Sequence, residues 1–466
     1  IIDLARRMAE CRTMISTAWS LQRSDHGEQP IWLTVVLASL LGQIGLPGGG
    51  FGIGYGCENG IGNPVKNFKW PALSQGINAV EEFIPVARIA DMLLSPGSKF
   101  NYDGEELTYP DIRLLYWAGG NPFHHHQDLN RLVDAFRQPE CVIVNEIWWT
   151  ATARHADIVF PITTVLERND LMMTKWEPMA TPMHKAIEPV GESRNDYDVF
   201  SGLAQRLGFF EEFTEGRNEE EWLRHLWDQA RQRAGQANFE LPDFDTFWHE
   251  GPKEILKAED KTVLLEAYRK DPQNNPLATP SGKIEIFSDV IAGFGYDDCP
   301  GHPVWMEPFE WLGGKTVKKF PLHIISNQPS TRLHSQLDSG SISKGSKIKD
   351  REPMTMNPVD AAGRGIKTGD VVRVFNERGS CLAGVNLSEN VMPGVIQLAT
   401  GAWFDPIVPG QIGALCKHGN PNVLTMDRGT SSLAQGPTAH STLVQVEKFN
   451  DDIPKVTAHL PPAISS

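Results

Sequence analysis

Ile1, Leu4, Ala5 and Met8 stand at helical spacing, so the chain opens on an amphipathic helix. RTMIST reads next as a short strand, a polar loop follows, and 31–41 reads as a second helix. That helix closes on GLPGGGFGIGYG, a glycine-rich stretch suited to a loop where backbone passes close to a neighbour. The pattern is clearest between 111 and 163. DIRLLYWAG is an apolar run ending in Gly119 and Gly120, and DLNRLVDAF sets Leu129, Leu132, Val133 and Phe136 on one helical face with Asp128 placed to cap it. CVIVNEIW reads as a buried strand, ATARHA as a helical turn and DIVFPIT as a further strand. Strands alternating with helices predict an α/β fold with a doubly wound parallel sheet, and such sheets receive ligands beyond the carboxyl ends of their strands. Those ends read GGNPFHHH, NEIWWT and PITTVLERND.

From about 200 to 315 the pattern is helical and irregular, rich in Trp, Pro and charge. After Phe320 it becomes a series of short β runs: FPLHIISN, DVVRVFN, SCLAGVNL, GVIQLAT and TLVQVEKF, parted by turns such as NERG and MPG. This predicts a C-terminal β-barrel domain of the six-stranded type. The expected organisation is the end of an upstream α/β domain with a loop over 1–60, an α/β ligand-binding domain with a helical extension over 61–315, and the barrel over 316–466.

Composition narrows the function classes. A length of 466 residues exceeds one ordinary core. A formal net charge of −15 argues against nucleic acid as the partner, because that affinity rests on Lys and Arg neutralising phosphates. The cysteines Cys11, Cys57, Cys141, Cys299, Cys381 and Cys416 are scattered with no C-x-x-C pair, so neither a zinc site nor an iron–sulfur cluster is expected. They read as buried free thiols. No run approaches the ~20 apolar residues of a membrane helix, and membrane insertion is not expected. The chain begins without Met or a signal peptide, inside a helix, as a fragment does; any export signal is expected upstream.

Three consecutive histidines, His124 to His126, invite a metal site, but neighbouring side chains diverge and no ligand-type partner sits at suitable spacing nearby. A ligand loop fits better: a strand end, Gly119 and Gly120 for close approach, Asn121 as donor and acceptor, then a helix N-terminus, together able to receive a phosphate or nucleotide. The loop lacks G-x-G-x-x-G, so a nicotinamide dinucleotide is not expected. Arg168 offers a planar fork for phosphate, or an ion pair with Glu167. Asp198 reads as a helix N-cap or as a carboxylate for a guanine edge. AWSLQRSDHGEQ offers Trp19 and Arg23, which would suit a polar, oxo-bearing substrate where they converge on a cavity, a relation spacing alone does not show, and Glu28, which reads as a cap for the next helix. ISNQPSTRLHSQLD gathers Asn327, Arg332, His334, Ser335 and Gln336 into a donor array for an anionic ligand, and 418–440 forms a second. There is no G-x-S-x-G and no H-E-x-x-H, which removes serine-hydrolase and zincin readings.

LLYWAGGNPFHHHQDLNRLV, NEIWWTATARHADIVFPITTVLERND, ISNQPSTRLHSQLD and NPVDAAGRGIKTGDVVRVFNERG, in this order, resemble the molybdopterin oxidoreductases of the dimethyl sulfoxide reductase type. The likeness runs over essentially the whole chain and is to the single-subunit branch that reduces trimethylamine N-oxide, dimethyl sulfoxide or biotin sulfoxide. It implies a molybdenum bound by two molybdopterin guanine dinucleotides. It also implies reduction of an S-oxide or N-oxide by oxygen-atom transfer to Mo(IV), reset by an external electron donor, a c-type cytochrome or a cytoplasmic reductant. Dinucleotides would then be held by 61–315 and by the barrel. The branch's protein ligand to molybdenum is a serine in an N-terminal part absent from this sequence, so no residue here is assigned to the metal.

By motif match, Gly119, Gly120, Asn121 and His125 would contact one dinucleotide, Asn145 and Glu146 its ribose, and Arg168 and Asp198 phosphate and guanine. Ser326, Arg332, His334 and Ser335 would grip pterin and phosphate, joined by Asn422, Gln435 and Gly436, while Arg23, Trp19 and Trp70 would line the substrate funnel. Respiratory members are exported to the bacterial periplasm and biotin sulfoxide reductases stay in the cytoplasm; the residues leave that choice open. A formate or nitrate type of the same family and a non-catalytic nucleotide-binding protein are the alternatives. The 466-residue piece alone is expected not to reduce sulfoxides.

Overall fold

A computed structural model describes residues 1–54, 68–174, 177–254 and 262–462. Cys57 and the end of the glycine-rich stretch lie outside the described residues. The chain forms two compact units, neither continuous in sequence: Ile1–Ala18, Leu37–Glu82 and Phe160–Ile284 make one, and Trp19–Val36, Phe83–Val159 and Glu285–Ser466 the other. The segments expected at 1–60 and 61–315 are each shared between the two units, and 316–466 falls within the second.

In the second unit, strands β1 (Leu114–Ala118), β2 (Cys141–Glu146) and β3 (Ile158–Pro161) form a sheet in that order. β1 and β2 run parallel, with Leu114 opposite Cys141 and Ala118 opposite Asn145. The helix Leu129–Ala135 follows its predicted face, and Asp128 caps it by accepting from the Arg131 N–H at 3.1 Å. Six further strands close a barrel: β4 (Leu322–Ile325), β5 (Pro353–Met356), β6 (Val371–Phe375), β7 (Ser380–Leu387), β8 (Val395–Leu398) and β9 (Leu443–Lys448), in the order β4-β8-β5-β7-β6-β9.

Inward positions alternate as the pleat requires: Leu322 and Ile324, Met354 and Met356, Val372 and Val374, Ile396 and Leu398, Val444 and Val446 are all buried. β5 is the strand the β runs did not announce. It begins at Pro353 and stops before Asn357-Pro358, residues that read as punctuation, whereas a proline is tolerated as the first residue of a strand. One apolar cluster joins Phe123, Leu129 and Leu132 of the α/β layer to Ile324, Met354 and Ile396 of the barrel. That shared core is why the barrel does not stand as a unit of its own.

The first unit centres on the helix Glu219–Gln236, closed at its start by a capping box in which Asn218 and Glu221 satisfy each other's backbone N–H. Leu223, Trp227, Ala230 and Ala234 recur on one face, and Trp227 stacks on Phe247 with centroids 3.7 Å apart. The glycine-rich stretch after the second helix is not loop throughout: Gly50–Gly52 pairs in parallel with Met14–Ser16. Cys299, Cys381 and Cys416 are buried free thiols as expected, but Cys11 is exposed and Cys141 half-buried. Among the described residues no helix is long and apolar enough to cross a membrane.

Candidate functional site

The β1 end is built as the sequence suggests. Gly119 and Gly120 both take φ near +78°, a region that favours glycine, and a side chain added at Gly119 would point into open space. Asn121 stands just before the short helix Pro122–His125 without capping it by its side chain; its Oδ1 accepts from Thr152 Oγ1 and its amide faces His124 Nε2 at 3.4 Å. That contact places the ring proton of His124 on Nδ1, which is buried without a partner. The Trp117 indole N–H, against Gly120, is also buried and, like His124 Nδ1, has no partner among the described residues.

The three histidines do not converge: His124 and His126 are buried and His125 is exposed. Burial first, aided by neighbouring positive groups, pushes His124 down to about 3. His125, though its surface is open, is lowered to about 4 by the protein packed around its base and then by His126 and His334. Burial likewise lowers His126. All three are neutral at pH 7. At the β2 end, Asn145 is buried and accepts from Tyr116 Oη at 2.9 Å. Glu146 turns inward onto the Ile147 N–H and Thr150 Oγ1, both at 2.9 Å, and burial raises its pKa.

The barrel loop after β4 begins at buried Ser326 and carries Asn327, whose Oδ1 is buried and unpaired. Arg332 is turned inward rather than outward. Its guanidinium donates to His334 O at 3.1 Å, Ser343 Oγ at 3.2 Å, Glu352 Oε2 at 3.1 Å and Thr400 O at 3.0 Å. It therefore shapes the loop that presents His334, exposed, and Ser335, half-buried. Gly401 is obligatory there: an added Cβ would lie 1.9 Å from His334 O. Two residues tie a second barrel loop to the histidine loop. Asn422 donates to His124 O at 2.8 Å, and Asn420, which the sequence reading passed over, donates to Phe123 O at 3.1 Å.

Trp19 and Arg23 begin and end one 3-10 turn. Trp19 is exposed; Arg23 is half-buried, has no ion pair among the described residues, and is lowered in pKa by burial. Glu28 does not cap the helix it begins; its Oε1 accepts from Thr430 Oγ1 at 2.5 Å and Ser431 Oγ at 2.9 Å. It thus anchors the loop holding Gln435 and Gly436, whose own bonds run to Asn101 O at 2.8 Å and from Gly436 N–H to Thr430 Oγ1 at 3.1 Å. His440 donates its N–H to Arg23 O at 2.9 Å and keeps a buried, unpaired Nε2.

In the first unit, Arg168 bonds loosely to Thr163 O and Asp170, both at 3.4 Å. Its ion-pair partner is Asp170, not Glu167, which is buried and accepts from the Thr164 and Val190 N–H groups. Asp198 is not the N-cap expected of it. The helix runs Asp196–Leu207 with Asn195 as cap, so Asp198 lies in the first turn with its carboxylate exposed. Arg168 and Asp198 both act electrostatically on Glu219, so the fold does bring them into one neighbourhood. Trp70 packs edge-on against Phe68 and donates to Thr174 O at 3.2 Å, a place in that unit's apolar cluster.

Among the described residues, one group could offer three ligand atoms to a metal: Asp338, His418 and His459, within 4.8 Å of one another. Lys347 at 2.7 Å and Arg332 at 3.3 Å already neutralise Asp338, and His418 Nδ1 donates to Trp403 O at 3.0 Å. Two fixed cations repel a third, so the group is a hydrogen-bond network. By contrast, the unpaired Trp117 and His124 donors and the unpaired Asn327 acceptor fit a ligand rich in both, as a pterin is.

Comparisons with known proteins place the chain by its sequence. The molybdopterin oxidoreductase family matches residues 7–206, and the Molydopterin dinucleotide binding domain matches 322–443. A dimethyl sulfoxide/trimethylamine N-oxide reductase of Cereibacter sphaeroides is 49% identical over 96% of this chain and 56% of its own length. A biotin sulfoxide reductase of the same organism is 48% identical over 96% and 60%, and a trimethylamine-N-oxide reductase of Haemophilus influenzae 48% over 99% and 58%. The chain thus spans well under two thirds of these curated relatives. The solved structure of acetylene hydratase from Pelobacter acetylenicus shares the fold, with a TM-score of 0.56 at 19% identity over 73% of this chain and 45% of that one. The chain belongs to the molybdopterin oxidoreductases, on the branch of the dimethyl sulfoxide, trimethylamine N-oxide and biotin sulfoxide reductases.

Proposed function

We propose that this chain is the cofactor-holding part of a molybdenum-dependent reductase of small S-oxides or N-oxides, with the pterin carried as guanine dinucleotides. The observation that supports this best is that two stretches of one unit, 117–126 and 326–336, are firmly built yet leave the Trp117 and His124 donors and the Asn327 acceptor unpaired among the described residues. Bound there, the cofactor would supply two-electron oxygen-atom transfer, the part of the chemistry no side chain can perform. The chain's own residues position and exclude. Gly119 and Gly120 admit close backbone approach, and neutral His125 and Ser335 offer hydrogen bonds without charge. Arg23, desolvated and without a carboxylate partner among the described residues, sets a positive field suited to orienting the oxygen of an S–O or N–O dipole. In the other unit, Arg168 and exposed Asp198 supply a fork donor for phosphate and a two-oxygen acceptor for a guanine edge.

The test uses the whole protein made in a host that synthesises the cofactor. Elemental analysis should find molybdenum, acid hydrolysis should release guanine nucleotide, and a reduced viologen should be oxidised by dimethyl sulfoxide, trimethylamine N-oxide or biotin sulfoxide. Absence of molybdenum, or turnover with formate or nitrate but none of the three oxides, overturns the proposal. The external electron donor is part of the same reading and is identified by reconstitution with c-type cytochrome or with cytoplasmic reductant.

A further inference from the structure

Residues 452–457 form neither helix nor strand, yet the stretch from Pro454 to Leu460 is fastened along its length. Arg351 donates to Pro454 O. Thr457 gives its N–H to Asp405 Oδ2 at 2.6 Å and its hydroxyl to Asp405 Oδ1 at 2.8 Å, and accepts from Lys417 Nζ at 2.7 Å. Arg154 donates to Thr457 O at 3.1 Å, to Ala458 O at 3.0 Å and to Leu460 O. Irregular terminal segments fray unless tied down, and this one is tied by four side chains from distant parts of its unit.

The strap delivers His459. Its Nε2 lies 3.1 Å from Asp338 Oδ2 and, facing a carboxylate, is the donor; its ring packs edge-on against Trp403 with centroids 5.0 Å apart. Asp338 and Trp403 are the two groups from which the loop after β4 hangs. Asp338 binds Lys347 and Arg332, and accepts the Trp403 backbone N–H at 3.3 Å. The Trp403 indole donates to Ser335 O at 3.0 Å, and the same ring lies against His124 at 5.6 Å. One imidazole therefore braces the barrel loop directly and the histidine loop at one remove.

We propose that His459 is a positioning residue. Carried in by the terminal strap, it fixes Asp338 and Trp403, and through them the loop that presents His334 and Ser335 to the dinucleotide. The last step rests on the reading given under Proposed function; the bracing of the loop does not.

The experiment compares the full-length protein with His459→Ala, His459→Gln, which keeps an N–H donor, and Arg154→Ala, which loosens the strap from outside. Molybdenum and guanine nucleotide are measured before and after prolonged gel filtration, and tryptic cleavage after Arg332 is followed on the folded protein. The alanine variants should lose both cofactor components several-fold faster than wild type and gain a selective cut after Arg332, and the glutamine variant should reverse both changes. Retention equal to wild type in His459→Ala, or no rescue by glutamine, overturns the positioning role. Cleavage spread over the whole chain, without preference for Arg332, also overturns it. Wild type devoid of molybdenum and guanine defeats the cofactor reading instead, while the selective cut still decides whether His459 braces the loop.

Discussion

Replacing Asp338 with asparagine keeps the side chain's shape and removes one charge from a buried cluster of four. Arg332 and Lys347 supply two positive charges and Asp338 and Glu352 two negative ones, and none of these side chains is more than 3% exposed. After the change, two cations share Glu352 alone. Removing one partner of a buried ion pair costs about 3–5 kcal/mol, because the remaining charge is left uncompensated away from water. For a unit of this size that lowers the melting temperature by about 6–10 °C. Burial alone would raise the Asp338 pKa, but the His459 hydrogen bond, His418, Lys347 and Arg332 outweigh it and hold the carboxyl well below its usual range. A depressed folded pKa gives stability that is fully present above the unfolded value of about 3.9 and is lost as pH falls through the folded one. Thermal unfolding of both proteins from pH 8 to pH 3 should therefore show a constant gap down to about pH 4, closing only below it. An unchanged melting temperature at pH 7, or a gap that shrinks already between pH 7 and pH 5, refutes the charge-balance reasoning.

Gly401→Ala drives a Cβ into His334 O and imposes a positive φ on alanine, so the variant should melt several degrees lower and expose Arg332 to trypsin, measured on the same preparations. His124, held at about 3 by burial, must be protonated on unfolding below its ordinary value, so it alone should contribute a fall in stability of about 1.4 kcal/mol per pH unit from about pH 6.5 downward. His124→Phe should flatten that limb in denaturation titrations at pH 4–7; an unaltered slope places the acid sensitivity elsewhere. His125→Ala in the whole protein should lower molybdenum and guanine content together without altering the metal's coordination spectrum, and unchanged content would make the loop purely structural.

Local pattern carried much of this molecule. The glycines at 119 and 120, the Asp128 cap and five of the six barrel strands are set by residues within a turn of one another, and spacing along a chain reports such relations directly. What spacing cannot report is convergence. Asp338 closes the quoted stretch ISNQPSTRLHSQLD, yet the partner that braces it stands 121 residues away in a tail with no periodic signal. Arg332, a cation in a donor-rich loop, reads as a phosphate grip until the buried carboxylates that draw it inward are known. Asp198 missed its capping role by one helical turn because two other polar residues, Asn195 and Asp196, compete for the same start.

The three histidines show the same limit from the side of charge. Their sequence invites a metal site, but all three are lowered and neutral at pH 7, His124 and His126 by burial, so the loop offers directional hydrogen bonds and no net attraction for an anion. Arg23, in the same unit, has its backbone tied to His440 and a guanidinium without a carboxylate partner among the described residues. Under the proposed function, electrostatics would divide the labour: a neutral loop would hold a large cofactor without preferring any charge state of the reacting centre, and a desolvated arginine on a separate turn would act on the small polar substrate.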